Sequence, residues 1–313
     1  MQTLIEKIHA LCRERNAVIL AHNYTMPDVQ DVADFVGDSL ELSLKAAATT
    51  SDVIVFCGVH FMAETAKILN PARRVLMPDT AAGCPMADMV TADGLRQAKA
   101  RHPGAAVVCY VNSTVAVKAE SDICCTSSNA PAVVLSLPAD RPVLFVPDRN
   151  LADWTREQTG RDIIPWDGWC PTHQHILPEM VEAAKRAHPG ALLVTHPECP
   201  AAVRHLADRV ASTAGMLAFC RESSHQEFII ATEEGIIHRL RRENPGKQFH
   251  MAGPRMVCPN MKRTTLEKIL WCLEDLSGEV KVDEVEAQKA RIALERMFAV
   301  NKSAAAPVPA TTD

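Results

Sequence analysis

Three short segments of the chain carry a cysteine followed by a proline: GCPM at Cys84, WCPT at Cys170 and VCPN at Cys258. They lie 86 and 88 residues apart (170 − 84 and 258 − 170). Zinc fingers instead show close local pairs of ligands. Three thiolates gathered from distant parts of a chain suit an iron–sulfur cluster, whose usual ligand is cysteine thiolate. With three cysteines in place of four, one iron of a [4Fe-4S] cluster stays open and serves as a Lewis acid. A zinc site completed by Cys199 or His173 is the alternative on spacing and ligand type. The other cysteines read as packing residues, because free cysteine is a small, usually buried hydrophobe. Cys12 and Cys272 lie in helical patterns, Cys57 and Cys109 in apolar strands, and Cys124-Cys125 lacks Cys-x-x-Cys spacing.

The Cys-Pro segments belong to a longer repeat. RHPGAAVVCYVN from Arg101 and AHPGALLVTHPE from Ala187 each join a helix-ending HPG to an apolar run, and ERNAVILAHNY is a third copy without HPG. The spacing from His22 to Ser39, from Tyr110 to Ser127 and from His196 to Thr213 is identical, so three hydroxyl residues share one repeat position. The strands AVIL, VIVF, AVVCYV, VLFV, ALLV and FII are continuous apolar runs, as parallel sheets covered on both faces require. They alternate with helical patterns such as FMAETAKILN. The expected fold is α/β: three homologous three-layer αβα units with parallel sheets around a pseudo-threefold axis. Their expected bounds are 1–90, 91–176 and 177–279, with a charged C-terminal helix at 280–300 returning to the first unit and a disordered tail at 303–313.

Open parallel sheets bind ligands beyond the carboxyl ends of their strands. His22-Asn23-Tyr24, Tyr110-Val111-Asn112 and His196-Pro197-Glu198 all fall at such ends. Glu198 is the candidate general base, His22 and His196 are donors or proton shuttles, and Tyr24 and Tyr110 protonate or orient oxygens. Ser39, Asn112, Ser127 and Thr213 can hydrogen-bond carboxylate or phosphate oxygens without fixed charge, which implies a small anionic substrate. An iron–sulfur or zinc protein that only senses or carries electrons, and a metal-free sugar-phosphate binder, are the rival readings.

Whole-chain properties narrow the classes. The 33 basic against 38 acidic residues give no electrostatic footprint for nucleic acid or an anionic membrane. MQTLIEKIHALCRERN has the spacing of an amphipathic helix and not of a signal peptide, and no apolar run reaches membrane-spanning length. A soluble, cytoplasmic protein is expected.

The segments AHNYTMPDVQDVADFVGDSLELS, GCPMADM, CYVNSTVAVKAESDICCTSSNA, WCPTHQHI, THPEC and VCPNMK resemble the quinolinate synthase family from about Ile19 to Lys262. The resemblance implies a transferase of NAD biosynthesis with three homologous α/β domains around one [4Fe-4S] cluster. The reaction it implies condenses iminosuccinate with dihydroxyacetone phosphate to quinolinate, with release of phosphate and water. Handover of the imine from an aspartate-oxidising enzyme is an expected partnership. By motif, Cys84, Cys170 and Cys258 would be the cluster ligands. His22, Tyr24, Tyr110, His196 and Glu198 would be catalytic, and Ser39, Val111, Asn112, Ser127, Pro197 and Thr213 would join them in binding substrate. Some members carry C-x-x-C-x-x-C at the last ligand; GPRMVCPN has Cys258 alone, which removes a local disulfide switch there.

Overall fold

The computed structural model describes residues 3–305. Twelve strands form three sheets of four. The first holds β1 (Ala17–His22), β2 (Phe35–Gly37), β3 (Val53–Cys57) and β4 (Arg74–Leu76). The second holds β5 (Ala106–Tyr110), β6 (Ile123–Cys125), β7 (Val143–Val146) and β8 (Ile163–Pro165). The third holds β9 (Leu192–Thr195), β10 (Arg209–Val210), β11 (Glu227–Ala231) and β12 (Gln248–Met251). Strand order is the same in each, with the second strand at one edge, then the first, third and fourth. All pairings are parallel. The expected α/β architecture is therefore present, with helices covering the sheets.

Local chemistry sets the elements. The central strands β3 and β5 are buried at every residue, which explains their unbroken apolar runs. The first helix, Leu4–Glu14, opens on a capping box between Thr3 and Glu6 and buries Ile8 and Cys12. A repeated aspartate registers the edge strand in each unit. Asp34, Asp122 and Asp208 accept from the backbone N–H groups of Ile19, Val107 and Leu193 at 2.7, 2.8 and 2.7 Å. Each aspartate's own N–H returns a bond to the carbonyl of the same strand residue. One side-chain device thus fixes the same strand step three times.

Two C-terminal segments depart from the expected bounds. Helix Leu266–Asp275, expected in the third unit, packs on the first: its Ile269, Cys272 and Leu273 share a core with Ile8, Ile19 and Val55. The chain then runs beside β4, where Met77 N–H donates to Gly278 O at 2.9 Å and Val280 N–H to Val75 O at 2.8 Å. Gly278 has φ 73°, and a Cβ there would stand 2.3 Å from Met77 O, so only glycine fits this crossing. The final helix, Glu284–Ala305, was expected over the first unit but lies mainly on the second, against Val115–Ala119 and β6. It meets the first unit through helix His60–Leu69. Ala290, Ala293, Leu294 and Met297 are its buried stripe, and Arg296 donates to Asp122 O at 2.6 Å. Its amphipathic pattern specifies that it docks; the path past β4 specifies where. The helix runs through Ala305, into the expected tail, whose remainder lies outside the described residues. No helix among the described residues is long and apolar enough to cross a membrane.

Replacing Asp122 by alanine leaves the buried Val107 amide without its acceptor and is expected to cost about 1–3 kcal/mol. The readout is a lower urea midpoint than that of the parent chain, and an unmoved midpoint would refute the registering role.

Candidate active site

The carboxyl ends of the three sheets surround a cavity of about 160 Å³. Residues from all three units line it. His22 ends β1 and Tyr24 follows it, Tyr110 ends β5 and Asn112 follows it, and His196 and Glu198 follow β9. Asn23, Val111 and Pro197, the middle members of the same triplets, are buried outside the lining. A turn closes the first and third triplets, with Thr25 N–H donating to His22 O and Cys199 N–H to His196 O at 3.0 Å each, and in all three the first and third side chains reach the cavity. Neither Val111 nor Pro197, both expected to bind substrate, contributes a side chain to the lining. Asn23 instead donates through Nδ2 to Thr213 Oγ1 at 3.0 Å, tying the first unit to the third.

Ser39, Ser127 and Thr213 all line the cavity. Ser39 and Thr213 open helices Ser39–Ala48 and Thr213–Glu222, whose N-caps are Asp38 and Ser212. Helix starts present partial positive charge, which favours anionic ligands. Ser128 Oγ lies 2.6 Å from Asp38 Oδ2 and 2.9 Å from Ser212 Oγ, so the three units are pinned together just behind these hydroxyls. Asn112 Oδ1 is buried and accepts no hydrogen bond from the protein.

Cys84, Cys170 and Cys258 also line the cavity, close enough to interact electrostatically with one another. Of the chain's eleven cysteines these three alone are partly open, while the other eight are buried. Cys199 belongs to the buried set; its Sγ approaches Ala231 O at 3.4 Å, away from the lining. Each cavity thiol receives backbone N–H groups from residues just after it: Met86 and Ala87 at Cys84, His173 at Cys170, Asn260 and Met261 at Cys258. Such donors favour sulfur carrying negative charge. Burial works against that charge, pushing the Cys84 thiol up to about 12 and raising Cys170 and Cys258. The cysteine loops are held from behind by carboxylates in equivalent places after the third strand of a sheet. Glu233 Oε1 accepts from Cys258 N–H at 3.1 Å, and Asp148 accepts from Cys170 N–H.

Glu198 is 3 % exposed, lines the cavity and lies near enough to Cys84 and Cys170 to act on both thiols. Tyr110 Oη donates to its Oε1 at 2.5 Å, and His173 Nδ1 lies 2.8 Å from its Oε2. Burial pushes the carboxyl up, but His173, His196 and Tyr110 together outweigh it and hold Glu198 down at about 2. It is therefore ionised. His173 Nε2 contacts Thr232 Oγ1 at 2.7 Å, and Thr232 Oγ1 contacts Tyr24 Oη at 2.5 Å. One hydrogen-bonded chain thus runs from Tyr24 through Thr232, His173 and Glu198 to Tyr110. Burial and the Glu198 charge raise both tyrosines, which keeps their hydroxyls protonated.

His22 and His196 share one geometry. His22 Nδ1 accepts from Tyr24 N–H at 3.2 Å, and His196 Nδ1 accepts from Glu198 N–H at 3.3 Å. Each ring therefore carries its proton on Nε2. Burial lowers both to about 3, so they are neutral donors and do not cycle through the imidazolium at neutral pH.

Sequence reasoning left His173 open and did not find Thr232, Glu233 or Asp148. The repeat contained a signal for them, since these three follow third strands, but only the ends of first strands were compared. Lys262 also joins the site's frame: its Nζ donates to Tyr24 O at 2.8 Å and pairs with Glu233 at 2.9 Å, locking the Cys258 loop onto the first unit.

Comparison with known proteins agrees with this arrangement. The family described as Quinolinate synthetase A protein matches residues 6–299. Curated relatives named quinolinate synthase include one from Geobacter metallireducens, 55% identical over 298 residues, covering 95% of this chain and 98% of that protein. Another, from Desulforudis audaxviator, is 54% identical over 297 residues, covering 95% and 98%. A relative from Methanosarcina barkeri is 53% identical over 297 residues, covering 95% and 97%. With a family match across nearly all of its length and relatives of this identity, the chain belongs to the quinolinate synthetase A family.

Proposed function

We propose that the chain works as a quinolinate synthase of NAD biosynthesis, condensing iminosuccinate with dihydroxyacetone phosphate to give quinolinate, phosphate and two waters. These products balance the two substrates, and no oxidant or reductant is needed. The observation that carries the reading is the convergence in one cavity of three hydroxyls, three thiols and one ionised carboxylate. Its volume of about 160 Å³ lies below the roughly 300–1,000 Å³ of pockets for drug-sized ligands, as suits small substrates.

The donor set fits a [4Fe-4S] cluster held by Cys84, Cys170 and Cys258. These are the cavity's only cysteines among the described residues, and each sulfur already receives backbone donors. When bound, a three-cysteine cluster supplies a Lewis-acidic iron for the loss of water. A zinc ion could instead use Cys170, His173 and Glu198, whose ligand atoms lie within 4.8 Å of one another. That reading gives Cys84 and Cys258 no part and breaks the Tyr24-to-Tyr110 chain.

The protein's own groups divide the remaining work. Ser39, Ser127 and Thr213, beside two helix starts, hold phosphate and carboxylate oxygens, and Asn112 Oδ1 accepts from a substrate N–H or O–H. The Nε2–H groups of His22 and His196 donate to substrate oxygens without adding charge. Glu198 takes up a proton when substrate displaces one of its donors. The chain of hydroxyls and His173 then returns that proton at Tyr24 or Tyr110, so isomerisation and ring closure proceed without bulk water. Handover of the imine from an aspartate-oxidising enzyme, within the cytoplasm, completes the proposal.

Glu198→Gln preserves shape but removes the charge. Quinolinate formation under anaerobic conditions is expected to fall about 10²–10⁴-fold, the usual share of a positioned acid–base group, with iron content retained. A near-native rate at full iron content would end the role given to Glu198. Cys170→Ser is expected to lose most of its iron and acid-labile sulfide together with activity. An active, iron-free protein, whether this variant or the parent, would exclude the cluster.

A further inference from the structure

We propose that the third unit carries a second metal site, for a zinc ion, formed by His188, Glu227 and His250 at the end of the sheet opposite the cavity. His188 is the C-cap of helix Pro178–Ala187, Glu227 begins β11, and His250 lies in β12 at the sheet edge. The length of β11 separates this trio from Thr232 and Glu233, roughly 16 Å at about 3.3 Å per residue.

The ligand atoms already converge. Glu227 Oε1 is 3.0 Å from His188 Nδ1 and 3.0 Å from His250 Nε2. The two imidazoles stack beside it with centroids 3.6 Å apart and 16° between planes. His250 Nε2 is closed off from solvent and makes no hydrogen bond of acceptable angle, despite its short distance to the carboxylate. A buried ring nitrogen without a hydrogen bond, beside a carboxylate and a second imidazole, is a free donor for a metal ion. All three ligand atoms lie within 4.8 Å of one another.

The repeat argues against a purely structural origin. In the second unit, Val143 and Ile164 pair with β5 and β7 as Phe228 and His250 pair with β9 and β11, through Ala106 and Leu144 in place of Leu192 and Ile229. The positions of Glu227 and His250 are therefore filled there by Pro142 and Ile164. In the first unit they are filled by Val53 and Leu76. Apolar residues or proline suffice for the sheet, although His102 of the second unit repeats the HPG of His188. Only the third unit supplies all three donors.

Two imidazoles and one carboxylate form a nitrogen–oxygen set that suits zinc and offers no sulfur to an iron–sulfur cluster. Ligand atoms around a tetrahedral zinc stand roughly 3.3 Å apart, given bonds of about 2.0–2.1 Å. The present 3.0 Å spacings are close to that, and the stacked rings would tilt apart for both in-plane lone pairs to meet the ion. Each side chain keeps about a third of its surface open, which leaves a fourth position for water. Zinc here would clamp the end of helix Pro178–Ala187 to β11 and the edge strand β12.

The test uses anaerobically purified protein with its own metal content, incubated with zinc chloride and desalted. The parent is expected to retain one zinc per chain more than His250→Ala or Glu227→Gln, and to gain thermal midpoint on zinc addition where they do not. Equal zinc contents with equal midpoints would overturn the site. X-ray absorption at the zinc edge of the parent decides independently of any variant that fails to fold. Imidazole and oxygen ligands support the proposal, whereas sulfur alone would place zinc at the cavity cysteines and refute it.

Discussion

Glu198 carries a negative charge in a place where water cannot solvate it, and such a charge persists only where protein donors replace the lost hydration. Its donors come from different parts of the molecule: Tyr110 from the end of β5 and His173 from the short helix Pro171–Gln174 after β8. The carboxylate itself follows β9. Removing one partner of a buried ionic pair typically costs about 3–5 kcal/mol, so second and third units that drifted apart would strand the charge. The same seam is closed nearby, where Asn150 Nδ2 donates to Glu198 O at 3.0 Å and buried Arg204 pairs with Asp153 and Glu157 at 2.9 Å each. The site and the assembly of the units are therefore one energetic problem.

The repeated sheet solves that problem economically. Three sheets of one strand order end at one cavity, and each contributes the same kinds of position: alternate residues after the first strand, a hydroxyl beside the next helix, and a Cys-Pro loop. Equivalence of position does not force equivalence of chemistry. Tyr24, Asn112 and Glu198 occupy one repeat position, and they make an acid, an orphan acceptor and a base. Behind the loops the third-strand ends diverge in the same way, with Val59, Asp148 and Glu233 at matching places. The two acidic ones hold cysteine amides. A shared backbone thus supplies placement, and substitutions within it supply asymmetry to an asymmetric reaction.

Much of this was legible in the chain, because parallel-sheet strands leave unbroken apolar runs and because repeat register survives even where residues differ. Cys170 beside two histidines reads locally as a packed cysteine; its register with Cys84 and Cys258 makes it a ligand candidate, and the structure leaves these three thiols alone partly open. Val111 and Pro197 share the register of their triplets but bring no side chain to the lining, because the chain leaves the strand in a turn or bend at that point. Thr232 follows a third strand, and the repeat was compared only at the ends of first strands; its importance lies in touching Tyr24 and His173 at once.

Sequence alone determined the three α/β units, the strand-end candidates and the cysteine trio, since each rests on periodicity or spacing along one chain. Tertiary structure decided what spacing cannot encode. It set the protonation of His22 and His196 through backbone amides two residues on, and the ionisation of Glu198 through groups far away in the chain. It also carried helix Leu266–Asp275 to the first unit and the last helix to the second, because an amphipathic stripe specifies burial without naming the surface that buries it.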